Sequence, residues 1–339
     1  MRKRDVIPFG FIPMYNFSDD SLNVKEISSR EKYPLRVLSS EQLYLLRGLF
    51  SFLEQGNTFR DSGYKNKIDI IGNRIVSTEY EIPVYENFKG KDTSKNRGKS
   101  ENTEECRKKA ARRAKTQFVD KVDSTFAFIA KKFPKLYDSG WRLRFLTLTY
   151  REEMEDRSQL ANDWAKFEKR VKTYFVNKGL CSEEELKHIH YVAVPEIQKE
   201  RERKTGKRVW HIHVLIFSPY TSLSEIYRVW RHGGIKPKMV DLDKIKSLGG
   251  YLAKYMDKDF EEGSFNKKRF FTSRNVKLHK VRWGQNIPNM KDVLSSFMKY
   301  AIESKPFAYK SEHLGIITGC VLLLARTDEV FRFLQFLTG

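Results

Sequence analysis

From residue 142 onward, the spacing of apolar residues alternates between the period of a strand and the period of a helix. Three short runs rich in apolar and β-branched residues predict strands at Leu143–Tyr150, His190–Glu196 and Val209–Phe217. Between the first two runs, apolar residues recur every three or four positions, as on one face of a helix: Leu160, Trp164, Phe167, Val171 and Tyr174. This alternation predicts an α+β fold with a central antiparallel sheet flanked by helices.

Three further elements are predicted between and after these strands. Gln198–Arg208 is predicted to be a charged turn that joins the second strand to the third. Val240–Leu242 is predicted to be an edge strand, and Asp243 is predicted to cap a helix that ends near Asp259. The buried stripe of that helix is predicted to consist of Ile245, Leu248, Leu252 and Met256.

The rest of the chain is predicted to form accessory segments around this core. Ser39–Gln42 has the composition of a helix start, and Ile68–Tyr85 that of two strands joined at Gly72 and Asn73. We therefore expect four parts: an N-terminal accessory module (1–86), a basic linker that runs into a helix (87–115), the α+β domain (116–285) and a C-terminal accessory helical segment (286–339).

The charge of the chain indicates the class of its partner. Of 339 residues, 64 are Lys or Arg and 43 are Asp or Glu, so the formal net charge is +21. The hydrophobic fraction of 40% excludes a mainly disordered protein. A charge of this sign and size favours a polyanion, either nucleic acid or an anionic membrane surface.

The basic charge is densest between residues 87 and 115, where eleven Lys or Arg face four acidic residues. Two interpretations stay open for the cations of its second half. They either form an ordinary solvated helix face or contact phosphate groups of a nucleic acid. The residues that we single out as candidates for DNA binding here are Arg107, Lys108, Lys109, Arg112 and Arg113.

The cysteines and the apolar runs indicate a compartment. Cys106, Cys181 and Cys320 lie far apart and form no CxxC pair, so we expect no zinc knuckle and a reducing environment. The first residues contain no continuous apolar segment typical of a signal peptide. The longest apolar run, Gly315–Ala325, is too short to span a bilayer. We expect a cytoplasmic protein without a membrane partner.

Two histidines in the third predicted strand are candidate metal ligands. Because side chains alternate along a strand, His211 and His213 point to the same side. Glu196 ends the preceding strand and lies beside them if the two strands pair as a hairpin. Two imidazoles and a carboxylate suit Mg²⁺ or Mn²⁺, with Zn²⁺ left open. The alternative is two histidines on a polar sheet face and an ordinary surface carboxylate.

Two tyrosines on the last predicted helix are candidate nucleophiles. At about 100° per residue, Tyr251, Tyr255 and Lys258 fall on one flank of that helix, with Lys254 slightly further round. A phenol is a weak nucleophile at neutral pH, but a nearby ammonium favours the phenolate and a metal can polarise the phosphate that it attacks. The alternative is that the tyrosines only pack against the core.

Three motifs in this order carry a resemblance to a known family. Phe145-Leu-Thr-Leu-Thr-Tyr150, His211-Ile-His213 and Tyr251-Leu-Ala-Lys-Tyr255 resemble the three motifs of HUH rolling-circle replication initiators. The YxxKY form is similar to the two-tyrosine branch of small phages and plasmids. The resemblance covers roughly residues 140–285 and includes Phe270–Asn275.

The resemblance implies an HUH endonuclease with an RRM- or ferredoxin-like core. It implies that His211 and His213 bind a divalent metal, with Glu196 as third ligand. It also implies that Tyr251 and Tyr255 are the nucleophiles, with Lys254 assisting at the phosphate. Such an enzyme nicks origin DNA, forms a 5′-phosphotyrosine intermediate and rejoins strands. Its implied partners are origin DNA and a host helicase and polymerase, and Lys258 is a further candidate for DNA binding.

Two other functions are compatible with these residues. An HUH transposase or relaxase would use the same chemistry, although relaxases usually use a third histidine and a tyrosine near the N-terminus, and this chain has neither feature. A non-catalytic DNA-binding regulator would use the charge alone. Nicking of supercoiled DNA with Mn²⁺ distinguishes an enzyme from such a regulator.

Overall fold

The computed structural model describes residues 39, 41–43, 45, 63–85, 104–207, 209–239, 245–256, 269–311 and 313–338. These residues form two compact units. Unit 1 comprises the described residues within 1–117 and 279–339, and unit 2 comprises those within 118–278. Two separate segments of the chain therefore build unit 1, and the segment between them builds unit 2.

The described strands and helices follow each other along the chain with short connections. The strands are β1 (Tyr64–Ile71), β2 (Arg74–Val84), β3 (Trp141–Thr149), β4 (His190–Ile197), β5 (Trp210–Pro219), β6 (Ile235–Met239), β7 (Phe271–Thr272), β8 (Val281–Gln285), β9 (Ala301–Ser311) and β10 (Gly315–Leu324). The helices are α1 (Glu104–Phe126), α2 (Ile129–Lys132), α3 (Pro134–Asp138), α4 (Arg157–Asn177), α5 (Lys199–Thr205), α6 (Leu223–Trp230), α7 (Leu248–Met256), α8 (Met290–Met298) and α9 (Asp328–Thr338), with a 3₁₀ turn at Glu184–His188.

Unit 2 is built around an antiparallel sheet with the strand order β6-β3-β5-β4-β7. Helix α4 packs on one face, where the ring centroids of Trp164 and Tyr191 are 5.2 Å apart. Helix α7 packs on the other face, where Tyr255 lies against His213. The predicted α+β class and the three predicted strands are confirmed, with boundaries displaced by one or two residues.

Three local predictions for unit 2 need correction or fall outside the structure. The charged turn 198–208 contains helix α5, which ends at Gly206 in the left-handed conformation (φ 73°). In α4 the buried stripe ends at Phe175 instead of Tyr174, because the Tyr174 hydroxyl donates a hydrogen bond to Glu225 at the surface. The predicted edge strand 240–242 and its cap lie outside the described residues, and β6 forms the edge next to β3.

Unit 1 is built around a second sheet with the strand order β8-β1-β2-β10-β9. The predicted hairpin is confirmed as β1 and β2, and Gly72 in the turn has a positive φ of 61° that favours glycine. Ser39 and Gln42 exchange the two backbone-to-side-chain hydrogen bonds of a capping box, as expected for a helix start.

The C-terminal prediction is wrong in part. Residues 286–339 were expected to be helical, but they form β9 and β10 as well as α8 and α9. Strand β10 pairs with β2, so these residues complete the sheet of unit 1. Strand β8, expected in the α+β domain, pairs with β1 in the same sheet. The compact units accordingly divide at residue 278, whereas the sequence suggested 285.

None of the helices within the described residues combines the length and the apolar character needed to cross a membrane. The longest of them, α1, is rich in charged residues.

A buried charge cluster holds together one face of the unit 1 sheet. Asp69 is fully buried, and its carboxylate lies 2.9 Å from Lys67 Nζ, 2.9 Å from Lys280 Nζ and 3.2 Å from Arg282 Nε. Burial alone would raise the pKa of Asp69, but the charges of Lys67 and Lys280 outweigh it and the pKa is lowered. One carboxylate therefore compensates three cations from two distant segments of the chain.

Replacing this carboxylate should destabilise unit 1 strongly. In Asp69→Asn three cations lose their common partner, and we expect the free energy of unfolding to fall by about 3–5 kcal/mol, as when one member of a buried pair is removed. Because the folded-state pKa is lowered, the stabilisation is present at neutral pH and is lost as the pH falls through that pKa. Urea unfolding measures both effects. Glu79→Gln, at an exposed acid on β2, is the control, and equal losses in both variants would contradict the assignment.

Candidate active site

The register between β4 and β5 creates the centre of the site. Glu196 pairs directly with His211, and His213 follows two residues later on the same face. The Glu196 Oε2 atom lies 2.8 Å from His211 Nε2 and 2.5 Å from His213 Nε2. All three side chains are buried, with exposed fractions of 3%, 9% and 6% for Glu196, His211 and His213. The hairpin predicted to bring the carboxylate to the imidazoles is therefore present.

These three residues could hold a metal ion. One ligand atom from each lies within 4.8 Å of the others. Two neutral imidazole nitrogens and one carboxylate oxygen are donors that divalent cations accept, and a cation would compensate the buried negative charge. The donor set and its spacing therefore fit a divalent metal.

The neighbouring strand β3 orients one of the two histidines. Thr147 pairs with His213, and its Oγ1 atom lies 3.1 Å from His213 Nδ1. When Nε2 binds a metal, Nδ1 carries the proton and the threonine oxygen accepts the hydrogen bond from it, which fixes the ring. Phe145, two residues earlier, stacks on the same imidazole with ring centroids 5.6 Å apart. For His211, the Nδ1 atom is buried and has no hydrogen-bond partner among the described residues.

Helix α7 brings both tyrosines to the same face of the sheet. The Tyr255 ring stacks on His213 with centroids 3.7 Å apart. Its hydroxyl donates a hydrogen bond to the Tyr251 hydroxyl at 3.3 Å. Phe145 contacts both rings, at 5.3 Å from Tyr251 and 5.9 Å from Tyr255. The paired imidazoles and the paired phenols thus form one cluster, although about forty residues of chain separate them.

Exposure distinguishes the groups of this cluster. Both tyrosines are half-buried, whereas Lys254 is exposed and its Nζ lies 5.4 Å from the centre of the Tyr251 ring. Burial raises the pKa of Tyr255 well above its ordinary value, and the hydrogen bond to Tyr251 and the charge of Glu196 add to the rise. Tyr255 therefore holds its proton as long as no cation offsets that carboxylate.

A distant helix anchors the first turn of α7. Ser247 caps it by accepting from the Gly250 amide at 2.8 Å. Asp123 on α1 accepts from Ser247 Oγ and from the Gly249 amide, both at 2.8 Å. A Cβ at Gly249 would lie 2.5 Å from the Val119 carbonyl oxygen, so only glycine permits this close approach. Asp123 is buried, and its carboxylate satisfies an amide at the positive end of the helix.

Sequence reasoning missed this anchor. Ser247 stands just before an apolar helix and is a recognisable cap, although Asp243 was selected instead. Asp123 lies more than a hundred residues away on another helix, and no local pattern connects it to α7.

The predicted DNA-binding residues lie elsewhere. Arg107, Lys108 and Lys109 belong to helix α1, but their side chains lie outside the described part of the structure. Arg112 is exposed and Arg113 is half-buried on the same helix. Lys258 falls outside the described residues. Arg107–Arg113 belong to unit 1, and the metal ligands and tyrosines belong to unit 2.

Residues 143–260 match a family model for replication-associated proteins of the ORF2 type. The matched segment is about a third of the chain and contains Glu196, both histidines and both tyrosines. It supports a Rep-like family of replication initiators and a role in DNA replication. No curated protein and no solved structure matches the chain.

Removing both imidazoles should abolish metal binding. Mn²⁺ should stabilise the wild-type protein by about 2.7 kcal/mol at a hundredfold excess over Kd, because it binds the folded state. We expect no stabilisation of the His211→Ala/His213→Ala variant, and weaker binding at acidic pH because protons compete for the ligands. Thermal unfolding and calorimetric titration measure these effects. His313→Ala, at an exposed histidine of unit 1, should behave as wild type; stabilisation of the double variant by Mn²⁺ would refute the site.

Removing the anchor should loosen α7 selectively. In Asp123→Ala the Gly249 amide loses its acceptor, and we expect a cost of about 1–2 kcal/mol together with faster hydrogen exchange of the α7 amides. The matched control is Asp156→Ala, which removes the cap of α4, where Asp156 accepts from the Ser158 amide at 2.7 Å. Equal exchange of α7 in the two variants would show that Asp123 does not hold this helix.

Proposed function

We propose that this protein is a metal-dependent nickase and strand transferase that starts rolling-circle DNA replication. In this proposal it is a two-tyrosine HUH enzyme whose substrate is single-stranded or supercoiled DNA at a replication origin. A host helicase and polymerase would extend the strand that it opens. The match to the replication-associated family supports this role over that of a transposase or relaxase.

One observation carries the proposal. The Tyr255 ring stacks on His213, which belongs to a Glu-His-His cluster with ligand atoms within 4.8 Å, and the Tyr251 hydroxyl is 3.3 Å from that of Tyr255. A phenol that only filled the core would not need a second phenol and three metal-type ligands beside it. Phosphoryl transfer needs a nucleophile and a centre of positive charge at one phosphate, and this cluster offers both.

The proposed step exchanges one phosphodiester bond for another. The Tyr251 oxygen forms a bond to phosphorus, the bond from phosphorus to the 3′-oxygen breaks, and the phenol proton leaves with a 3′-hydroxyl. The 5′ end stays attached as a phosphotyrosine. When bound, the metal polarises the phosphate oxygens and stabilises the charge that develops on them. Reversal by a 3′-hydroxyl rejoins a strand without ATP, because the covalent link retains the energy of the phosphodiester.

Two contacts favour Tyr251 as the first nucleophile. The Tyr255 hydroxyl donates its hydrogen to the Tyr251 oxygen, and this donation stabilises negative charge on the acceptor. The ammonium of Lys254 lies over the Tyr251 ring and adds positive charge on the exposed side. Tyr255 would act second, after the first tyrosine has become esterified and can no longer accept the same hydrogen bond as a phenolate.

Removal of both phenols should abolish covalent attachment while DNA binding persists. With an oligonucleotide that carries the origin and with Mn²⁺, we expect a protease-sensitive adduct for the wild type and none for Tyr251→Phe/Tyr255→Phe. Tyr251→Phe alone should reduce the first cleavage at least roughly a hundredfold, because it removes the attacking oxygen, and Tyr255→Phe should reduce it less. Gel analysis and mapping of the linked peptide measure the outcome.

Tyr137→Phe is the control, since Tyr137 is exposed and lies on α3, away from the cluster. An adduct formed by the double variant would exclude these nucleophiles. Salt-sensitive binding without any nicking by the wild type would instead indicate a non-catalytic DNA-binding regulator.

A further inference from the structure

The face of the sheet that carries the metal ligands continues beyond them to its edge. In one row, Thr147 on β3 pairs with His213 on one side and with Lys236 of β6 on the other. In the next row Thr149 pairs with His211, and its amide and hydroxyl both bond to the Gly234 carbonyl oxygen, at 2.9 and 3.0 Å. We call the four residues between the histidines and the edge the threonine strip: Thr147, Thr149, Gly234 and Lys236.

The threonine strip is open and its floor is made of small side chains. Thr147 and Thr149 are half-buried, and Gly234 and Lys236 are exposed. Side chains at directly paired positions point to the same face, so the strip and the histidines share one surface. A Cβ at Gly234 would lie 3.1 Å from Thr149 Oγ1, so a larger residue there would crowd the floor.

The threonine hydroxyls are engaged inside the protein. Thr147 Oγ1 lies at hydrogen-bond distance from His213, and Thr149 Oγ1 donates to Gly234. The strip therefore offers a surface over which a chain can lie, and Lys236 is its one charged group.

Lys236 is placed to bind an anion near the metal ligands without touching the metal. It belongs to the edge strand, and no hydrogen bond or ion pair engages its ammonium group within the described residues. Two strand spacings, about 10 Å, separate its backbone from that of His213. This separation is too long for shared metal coordination, but it suits the binding of a neighbouring phosphate of the same nucleic-acid strand.

Other features of the sheet leave this edge as the approach. Helix α7 covers the same face at Phe145 and His213, on the side away from β6. Arg144, the nearest arginine on β3, is buried with its guanidinium bonded to the carbonyl oxygens of Thr221 and Pro219. Because side chains alternate along β3, Arg144 points to the face opposite the threonines and does not contribute to the strip.

We propose that the DNA strand reaches the metal ligands across the threonine strip and that Lys236 binds a backbone phosphate next to the one that is cleaved. The inference rests on the proposed nickase function and adds a substrate-binding residue to it. An ammonium contact to a phosphate carries no base information, so Lys236 contributes affinity and strand position and does not select a sequence.

The test measures DNA binding separately from cleavage. Lys236→Ala is compared with Lys166→Ala, which removes an exposed lysine from α4 on the opposite face of the sheet. Fluorescence anisotropy with labelled single-stranded oligonucleotides of two sequences, in EDTA and over a salt series, gives the affinity and its salt dependence. For Lys236→Ala we expect the slope of log K against log salt to become shallower by about 0.7, the value of one phosphate contact on a single strand. The loss of affinity should be equal for both sequences.

Lys166→Ala should leave the slope and the affinity unchanged. Equal slopes for Lys236→Ala and wild type, or equal losses in both variants, would overturn the role of Lys236. Because EDTA prevents cleavage, the result is independent of nicking: a wild type that binds DNA but never forms an adduct would refute the nickase function alone.

Discussion

The pairing of Glu196 with His211 across the β4–β5 hairpin is the constraint on which the site depends. It places a carboxylate and two imidazoles on one face at positions where their burial would be costly without partners. Since side chains alternate along a strand, a slip of one residue between β4 and β5 would turn Glu196 away from both histidines. The strand register therefore determines whether three donors meet, and the apolar residues on the opposite face of β5 hold that register: Ile212, Val214 and Ile216.

The second requirement is the position of α7, which no strand register determines. Its tyrosines reach the histidines because the helix is held at its N-terminus by Asp123 and packs through Phe145 on the sheet. The close approach of Gly249 to Val119 leaves little freedom for the helix to slide. Two rigid elements thus fix the two halves of the cluster independently, which is the arrangement that preorganised phosphoryl-transfer sites need.

The sequence predicted those parts of the structure that local periodicity encodes. The strands that carry Glu196, His211 and His213 follow from period-two patterns, and the phenols on one flank of α7 follow from helical spacing. What could not be predicted depends on contacts between distant segments. Asp123 has no local relation to α7, and the pairing of β10 with β2 joins residues about 240 positions apart. A charge-rich segment such as 198–208 has no apolar stripe, so helix α5 left no recognisable period.

The open side of the metal face has a consequence for how charge is used. A long DNA strand needs contacts on both sides of the cleaved phosphate, because one ion and one nucleophile position a single phosphorus atom and leave the strand free to turn around it. Lys254 is exposed on α7 and Lys236 is exposed on the edge strand, so cations flank the cluster from two different elements. Small residues between them keep the backbone of the strand close to the sheet. A net charge of +21 spread over the chain would draw DNA to any surface, whereas the register of β6 against β3 gives one of these charges a defined place beside the histidines.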